Sequence, residues 1–312
     1  MEVDEAARKE AWLEDRRKHI TGTDVAAILG VSPHKTALRV WLEKKGEIEP
    51  DENEAMRWGH APERFTKEEK VNNPIQCAKK REWWNETWNP ITGCTRVSAG
   101  CEHCYAHGMY ERFPEVIHGR NEMRHGPIQF SNLVFHADRQ LTPIMLAHSR
   151  RVFVGSMTDF LHEQVEPEWL ARIWDTMRAC QRHQYYLLTK RPQNASKKMA
   201  GLPALPNVHI GVTVEAQEYV QRIDDLLRIP GGDFVSVEPM LGPVVIPDFA
   251  AVKWVICGAE TGPKARPMNL EWARALKRQC ADAGVPFWQK SAGRGVDVPA
   301  DLDVMELPLG SY

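Results

Sequence analysis

The segment WNPITGCTRVSAGCEHCYAH at residues 88–107 sets Cys94, Cys101 and Cys104 in a C-x6-C-x2-C spacing. Thiolates are soft ligands that select zinc or iron–sulfur clusters, and three this close in one loop are expected to converge on a single centre. The short second interval lets two sulfurs bind from one tight turn, with Gly100 easing the bend. The fourth ligand separates the alternatives. If His107 supplies it, the result is a closed Cys3His zinc site of structural character. If nothing in the chain supplies it, a cubane held by three cysteines keeps one iron open to an external ligand.

The composition narrows what surrounds this cluster. The chain has 312 residues, 40 Lys+Arg against 42 Asp+Glu, and seven cysteines. A formal charge of -2 argues against a surface that is wholly a nucleic-acid or membrane footprint, though a local patch remains open. No apolar run approaches the roughly 18 residues a bilayer span needs, and the start MEVDEAARKE is acidic where a secretory signal would be basic and then apolar. The expectation is a soluble cytoplasmic protein without membrane partners. In a reducing compartment an odd number of cysteines is not a disulfide framework, so the tight group is metal or redox chemistry. Cys180 and Cys280 on amphipathic helical patterns and Cys257 in an apolar run are expected to be small core residues, and Cys77 lies in a linker.

Charge density divides the chain. Residues 1–75 hold 29 charged positions, whereas residues 76–312 hold 53 in 237. We therefore expect a small helical segment over 1–75, a linker to about residue 82, and a second domain over 83–312. The first segment patterns as helices over about 5–20, 24–29 and 36–45. In the second, short β-rich runs at 84–88, 152–156, 185–189, 208–214, 234–237, 254–258 and 286–289 alternate with amphipathic helices at 168–180, 216–227 and 269–283. Apolar strands alternating with helices specify an α/β fold with a parallel sheet. Six or seven such units suit a partial (β/α) barrel, whose chemistry sits at the carboxyl ends of its strands. The Trp83, Trp84 and Trp88 group is expected in the barrel floor rather than as a stacking platform.

An open iron on a three-cysteine cubane is the site at which radical SAM enzymes bind S-adenosylmethionine, and a cluster loop after the first barrel strand is their layout. The spacing differs from their commonest C-x3-C-x2-C. Residues 84–290 resemble the phage Gp37/Gp68 family (DUF5131), a radical-SAM-like group of phage and prophage proteins. The resemblance rests on WNPITGC at 88–94, GCEHCYA at 100–106, FVGSMTDFLHE at 153–163, LLTKRP at 187–192, GVTVEAQ at 211–217, VSVEPMLGP at 235–243 and WVICGAETGPKARPM at 254–268. Ala259 and the tail WQKSAGRG depart from the family pattern. The resemblance implies a [4Fe–4S] cluster on Cys94, Cys101 and Cys104, S-adenosylmethionine as cofactor, a reductant such as flavodoxin or ferredoxin, and a substrate it does not name. Within these motifs Ser156, Asp159, Lys190, Arg191, Glu215, Glu238 and Glu260 form a ring at strand ends. Its cations suit a carboxylate and its anions suit ribose hydroxyls or a sulfonium. The plainer alternative is mutual salt bridging at the barrel rim.

The N-terminal segment resembles another family. Through GTDVAAILG at 22–30, the S-P-x-K-T turn at 32–36 and M-R-W-G-H-x-x-E at 56–63, residues 5–65 are similar to the start of YqaJ-type viral recombinases, relatives of phage exonucleases. There Glu63 matches a metal ligand. Such a nuclease also needs a later Asp and a Glu-x-Lys pair on adjoining strands to hold the metal and orient water. Glu43-Lys44-Lys45 and Glu68-Glu69-Lys70 have the spacing but fall in helical stretches. The segment is thus expected to be a truncated nuclease fragment without its catalytic core, and its net charge of -3 disfavours phosphate binding. Three expectations compete: a radical enzyme, a zinc-stabilised binding module using His107, and a nuclease acting through Glu63.

Overall fold

Each β-rich run of the second segment forms a strand that pairs in parallel with a neighbouring run. In the computed structural model the strands, in chain order, are β1 (Glu86–Trp88), β2 (Ile91–Thr92), β3 (Val134–Phe135), β4 (Arg151–Val154), β5 (Gln184–Thr189), β6 (Val208–Thr213), β7 (Gly232–Val237), β8 (Trp254–Gly258) and β9 (Phe287–Ser291). The structure describes residues 81–119 and 122–308. These lie in the second of two units, Met1–Val71 and Asn72–Tyr312, into which the chain divides. The expectations for the first segment's helices, Glu63 and Cys77 fall outside the described residues.

Seven strands make one parallel sheet in the order β1-β4-β5-β6-β7-β8-β9, while β2 and β3 form a small antiparallel ribbon. The helices are α1 (Tyr105–Arg112), α2 (Pro114–His118), α3 (Thr142–Met145), α4 (Pro167–Ala179), α5 (Ala195–Lys198), α6 (Arg222–Leu226) and α7 (Leu270–Ala283). α7 has a clear start and stop, with Asn269 accepting from Glu271 N at 3.0 Å and Gly284 ending the helix in the left-handed conformation. The helix expected over 216–227 is instead a 3-10 turn followed by short α6. Its Arg222 side chain turns inward to Thr213 O and Glu215 at 2.7 Å each, which ties the segment to the strand end.

Alternation along the strands sorts side chains onto two faces. Val152, Val154, Tyr185, Leu187, Val235, Val237, Val255 and Cys257 pack under the helices, against Leu170, Ile173 and Met177 of α4 and Ala273, Leu276 and Cys280 of α7. Phe153, Tyr186, Phe234, Trp254, Ile256 and Trp288 face the other way and pack around Trp83. That second cluster forces the sheet to curl. With neighbouring strands about 4.8 Å apart, β4 and β8 would lie about 19 Å apart in a flat sheet. The Trp83 ring is nonetheless 5.1 Å from Phe153 on β4, 5.5 Å from Tyr186 on β5 and 5.8 Å from Trp254 on β8. One indole reaches all of them only if the sheet wraps around it, so the fold is a half-barrel with Trp83 as its floor.

The segment before β1 also reaches the far edge strand. Arg81 donates to Gln289 O at 2.8 Å, and its own carbonyl accepts from Trp288 Nε1 at 3.0 Å. Cys180, Cys257 and Cys280 are buried, as their patterns required. No helix among the described residues is long and apolar enough to cross a membrane.

Trp83 is fully buried and fills the concave face. Trp83→Ala should therefore cost about 3–5 kcal/mol in urea unfolding. A loss under about 1 kcal/mol would contradict an aromatic floor that sets the curl.

Candidate functional site

The cysteine loop leaves β2 through a turn that only glycine fits. Gly93 has φ +103°, and a Cβ there would lie 2.6 Å from the carbonyl oxygen of Asn132. Just before it, the buried Thr92 hydroxyl sits 2.7 Å from both His118 Nδ1 and His136 Nε2. Cys94 N donates to Phe130 O at 2.8 Å. Arg191, 1% exposed, crosses from the end of β5 to donate to Thr95 O and Oγ1 at 2.9 and 2.8 Å and to Cys94 Sγ at 3.8 Å.

The second half of the loop is stitched to two more strand ends. Ser98 donates to Glu215, whose other oxygen takes Arg222. Arg266, paired with Glu260, donates to Ala99 O at 2.8 Å and to Glu102 at 3.1 Å. Gly100 is not a bend residue in the left-handed region. A Cβ at Gly100 would stand 2.6 Å from Glu215 Cγ and Oε1, so the glycine is there to admit the buried carboxylate. Cys104 then leads directly into α1, and the Tyr105 hydroxyl donates to Ser156 O at 2.6 Å.

The seven ring residues all lie just beyond strand ends, but their roles divide. Asp159 accepts from Thr189 Oγ1, Leu161 N, Lys190 N and Arg191 Nη1 at 2.7–3.2 Å, so its oxygens are committed to holding the β5 end. Glu215 is fully buried and binds Ser98, Arg222 and, at 3.7 Å, Lys190. Burial pushes the Glu260 carboxyl up, but the hydrogen bonds and charge of Arg266 outweigh it and hold its pKa below the usual carboxylate range. Glu238 pairs with Lys290 at 3.1 Å, and Lys290 also lies 4.7 Å above the Trp84 ring. Salt bridging, the plainer alternative, describes most of the ring's charges.

Ser156, Asp159, Lys190, Arg191 and Glu238 nevertheless share a cavity of about 670 Å³ with Cys94, Cys101 and Cys104, whereas Glu215 and Glu260 lie behind its wall and support the loop. Trp84, Phe153 and Leu188 add apolar surface to the cavity. His107 is absent from this wall. It pairs with Glu111 at 3.3 Å, stacks edge-on to Phe130 and lines an adjoining cavity.

Among the described residues, no three His, Cys, Asp or Glu side chains are drawn into a metal-coordinating arrangement. The three thiols share the cavity wall, and two of them have polar partners. Cys94 Sγ donates to Thr95 O at 3.5 Å, and Cys101 Sγ lies 3.7 Å from Ser98 Oγ. Burial pushes the Cys94 thiol up to about 11, with Asp159 adding to the shift and Arg191 opposing it.

Sequence reasoning missed several supporting groups. Asn89 ties the end of β1 to the Ser156 loop, accepting from Met157 N at 3.0 Å and Ser156 Oγ at 3.2 Å. Ser98, Arg222, Arg266 and Lys290 partner motif carboxylates from outside the strand ends that the reading emphasised. The only signal for them was the surplus of carboxylates in the motifs, each of which needs a cation or hydroxyl once buried.

Two measurements probe this scaffold. Gly100→Ala should destabilise the chain by about 1–3 kcal/mol, since Glu215 cannot yield without losing Arg222 and Ser98. An unchanged urea midpoint would count against the stitched loop. Burial lowers His136 to about 4, with Arg139 contributing. Its neutral folded form is fully stabilising above the ordinary value near 6.5, and that contribution is lost as pH falls from there toward 4. The melting temperature should fall over this window, and less steeply in His136→Asn.

Comparisons with known proteins agree with this division of the chain. A YqaJ-like viral recombinase domain matches residues 11–73. Over 47 residues the chain is 38% identical to "Uncharacterized protein YqaJ" of Bacillus subtilis (strain 168), a match covering 15% of this chain and 15% of that protein. The chain thus spans less than a sixth of the length of the curated relative it matches. No solved structure matches. The family described as "Protein of unknown function (DUF5131)" matches residues 78–300, which hold the whole half-barrel, its cysteine loop and its ring. The chain belongs to that family.

Proposed function

We propose that the half-barrel is a radical SAM-type enzyme, with Cys94, Cys101 and Cys104 holding a [4Fe–4S] cluster and the strand-end cavity receiving S-adenosylmethionine and a substrate. The observation that carries this reading is the shared cavity: the three thiols line one space of about 670 Å³ with Lys190, Arg191, Lys290, Asp159, Glu238 and Ser156, at the carboxyl end of a parallel half-barrel. That size lies within the usual range of small-molecule sites. The donor set is soft, and His107, the fourth ligand of the zinc alternative, is paired with Glu111 off the cavity wall, which fits a cluster with an open iron better than a closed Cys3His site.

When bound, the cluster would supply an electron, received from an external reductant, to cleave the sulfonium of S-adenosylmethionine. The chain's own residues prepare the space. Arg191 orients Cys94 through Thr95 and places an N–H toward the sulfur. Lys190, half-buried on the wall, offers a cation to a carboxylate, and Glu238 offers an acceptor to hydroxyls. Trp84, Phe153 and Leu188 present apolar surface that limits water beside reactive species.

Anaerobic reconstitution with iron and sulfide should give a brown protein carrying about four iron and four sulfide per chain. Each of Cys94→Ala, Cys101→Ala and Cys104→Ala should abolish that absorbance, and His107→Ala should retain it. With a reductant and S-adenosylmethionine, the reconstituted protein should release 5′-deoxyadenosine. A colourless protein with one zinc per chain, lost in His107→Ala, would replace this reading with the Cys3His module.

A further inference from the structure

The cavity that holds the cysteines does not end at its mouth. Thr261 lines it together with two adjoining cavities of about 390 and 450 Å³, so the three form a continuous groove along α1 and the loops after β8 and β9. The charges along this groove are unequal in their commitments. Of its outer carboxylates, Glu102 is paired with Arg266 at 3.1 Å and Glu111 lies 3.3 Å from His107 Nδ1. Its outer cations Arg96, Arg112, Lys264 and Arg294 make no ion pair or side-chain hydrogen bond among the described residues. Arg112 and Arg294 both line the outermost cavity, whose remaining wall is Thr261, Gly262, Pro263, Ser291 and Gly293, with no carboxylate. A space lined by two unpaired arginines, the Thr261 hydroxyl and glycine backbone suits a phosphate.

Beside these cations runs an exposed apolar stripe. Tyr105 and Met109, one turn apart on α1, line the groove, and Phe113 at the break between α1 and α2 and Val116 on α2 follow them in the chain; the four are 46%, 44%, 54% and 70% exposed. Large side chains left in water in a row beside unpaired cations form a surface with two demands, anions for the arginines and flat apolar groups for the stripe. Single-stranded nucleic acid meets both, through phosphates spaced along a backbone and bases that stack on aromatic rings. A lone phosphorylated metabolite would leave Arg96, Lys264 and the stripe unused, and an acidic protein segment would not call for stacking surfaces. The near-neutral total charge is consistent with a footprint confined to one groove.

We propose that this groove binds single-stranded nucleic acid, with a backbone phosphate between Arg112 and Arg294 and a nucleotide presented to the cysteine cavity. This rests on the reading of that cavity as the reaction site only for what happens to the nucleotide. The binding itself is independent of it.

The test uses the full chain as purified, before any iron or sulfide is added, so that its failure is separable from failure of the cluster reading. Fluorescence anisotropy would follow labelled single strands of DNA and of RNA, about 12 nucleotides long and of mixed sequence, with AMP as competitor. A strand should bind with an affinity that falls steeply between about 50 and 200 mM salt. Arg112→Gln/Arg294→Gln should weaken binding about tenfold and reduce the log–log salt slope by about 0.7, the value for one lost phosphate contact on a single strand. Both arginines are exposed and unpartnered, so the variant's urea midpoint should match the parent's. Arg178→Gln, on α4 far along its return from β4 to β5, should leave binding unchanged. No binding of either strand, displacement of the strand by AMP at equal affinity, or equal binding by the double variant would each overturn the proposal. The last outcome would place any binding away from this groove.

Discussion

The burial of one indole organises the described part of this protein. Trp83 sits in the concave face of a seven-stranded parallel sheet and touches rings from β4, β5, β7 and β8. Aromatic side chains are bulky and bury large apolar areas, so a face rich in them cannot pack flat against solvent. Wrapping the sheet around Trp83 removes those rings from water and swings the carboxyl ends of the strands toward a common point. The cavity beyond that floor is a consequence of the curl. Residues from β1 through β9 line one space because the strands that carry them are bent around the same side chain.

Above the floor, charge takes over from packing. Asp159, Glu215 and Glu260 are each buried and each held by a cation, Arg191, Arg222 and Arg266 respectively. Removing one partner of such a pair costs about 3–5 kcal/mol, because the other is left buried and uncompensated. In return these pairs fasten the cysteine loop at Thr95, Ser98, Ala99 and Glu102 to three different strand ends. A 3-10 turn between two cysteines has little stability of its own, so the loop's position is set by what grips it. Ser156, Lys190 and Glu238 remain on the cavity wall, held there by Asn89, Glu215 and Lys290 respectively.

Much of this architecture was legible in the residues. All seven β-rich runs of the second segment became strands of one sheet, because apolar runs bounded by turn residues and separated by helices have few other ways to satisfy their backbones. The helices over 168–180 and 269–283 are present within two residues of their expected bounds, since their apolar spacing matches the helical period. The segment over 216–227 failed as a single helix because Arg222 is drawn to Glu215, a tertiary partner that no local period encodes. Gly100 was assigned to a bend when its role is to let Glu215 approach, which likewise depends on a residue more than a hundred positions away.

The sequence by itself determined the chemistry on offer and its neighbourhood. It supplied three soft ligands in one loop after the first strand, charged residues after the later strands, and a strand–helix alternation that places both at one end of a sheet. Those are properties of residue type and local period, and both are written along the chain. Only the tertiary structure decided which charges face the cavity and which are consumed behind it, and which cations along the groove stay unpaired. Pairing is settled by distances across the fold, and curvature around Trp83 sets those distances.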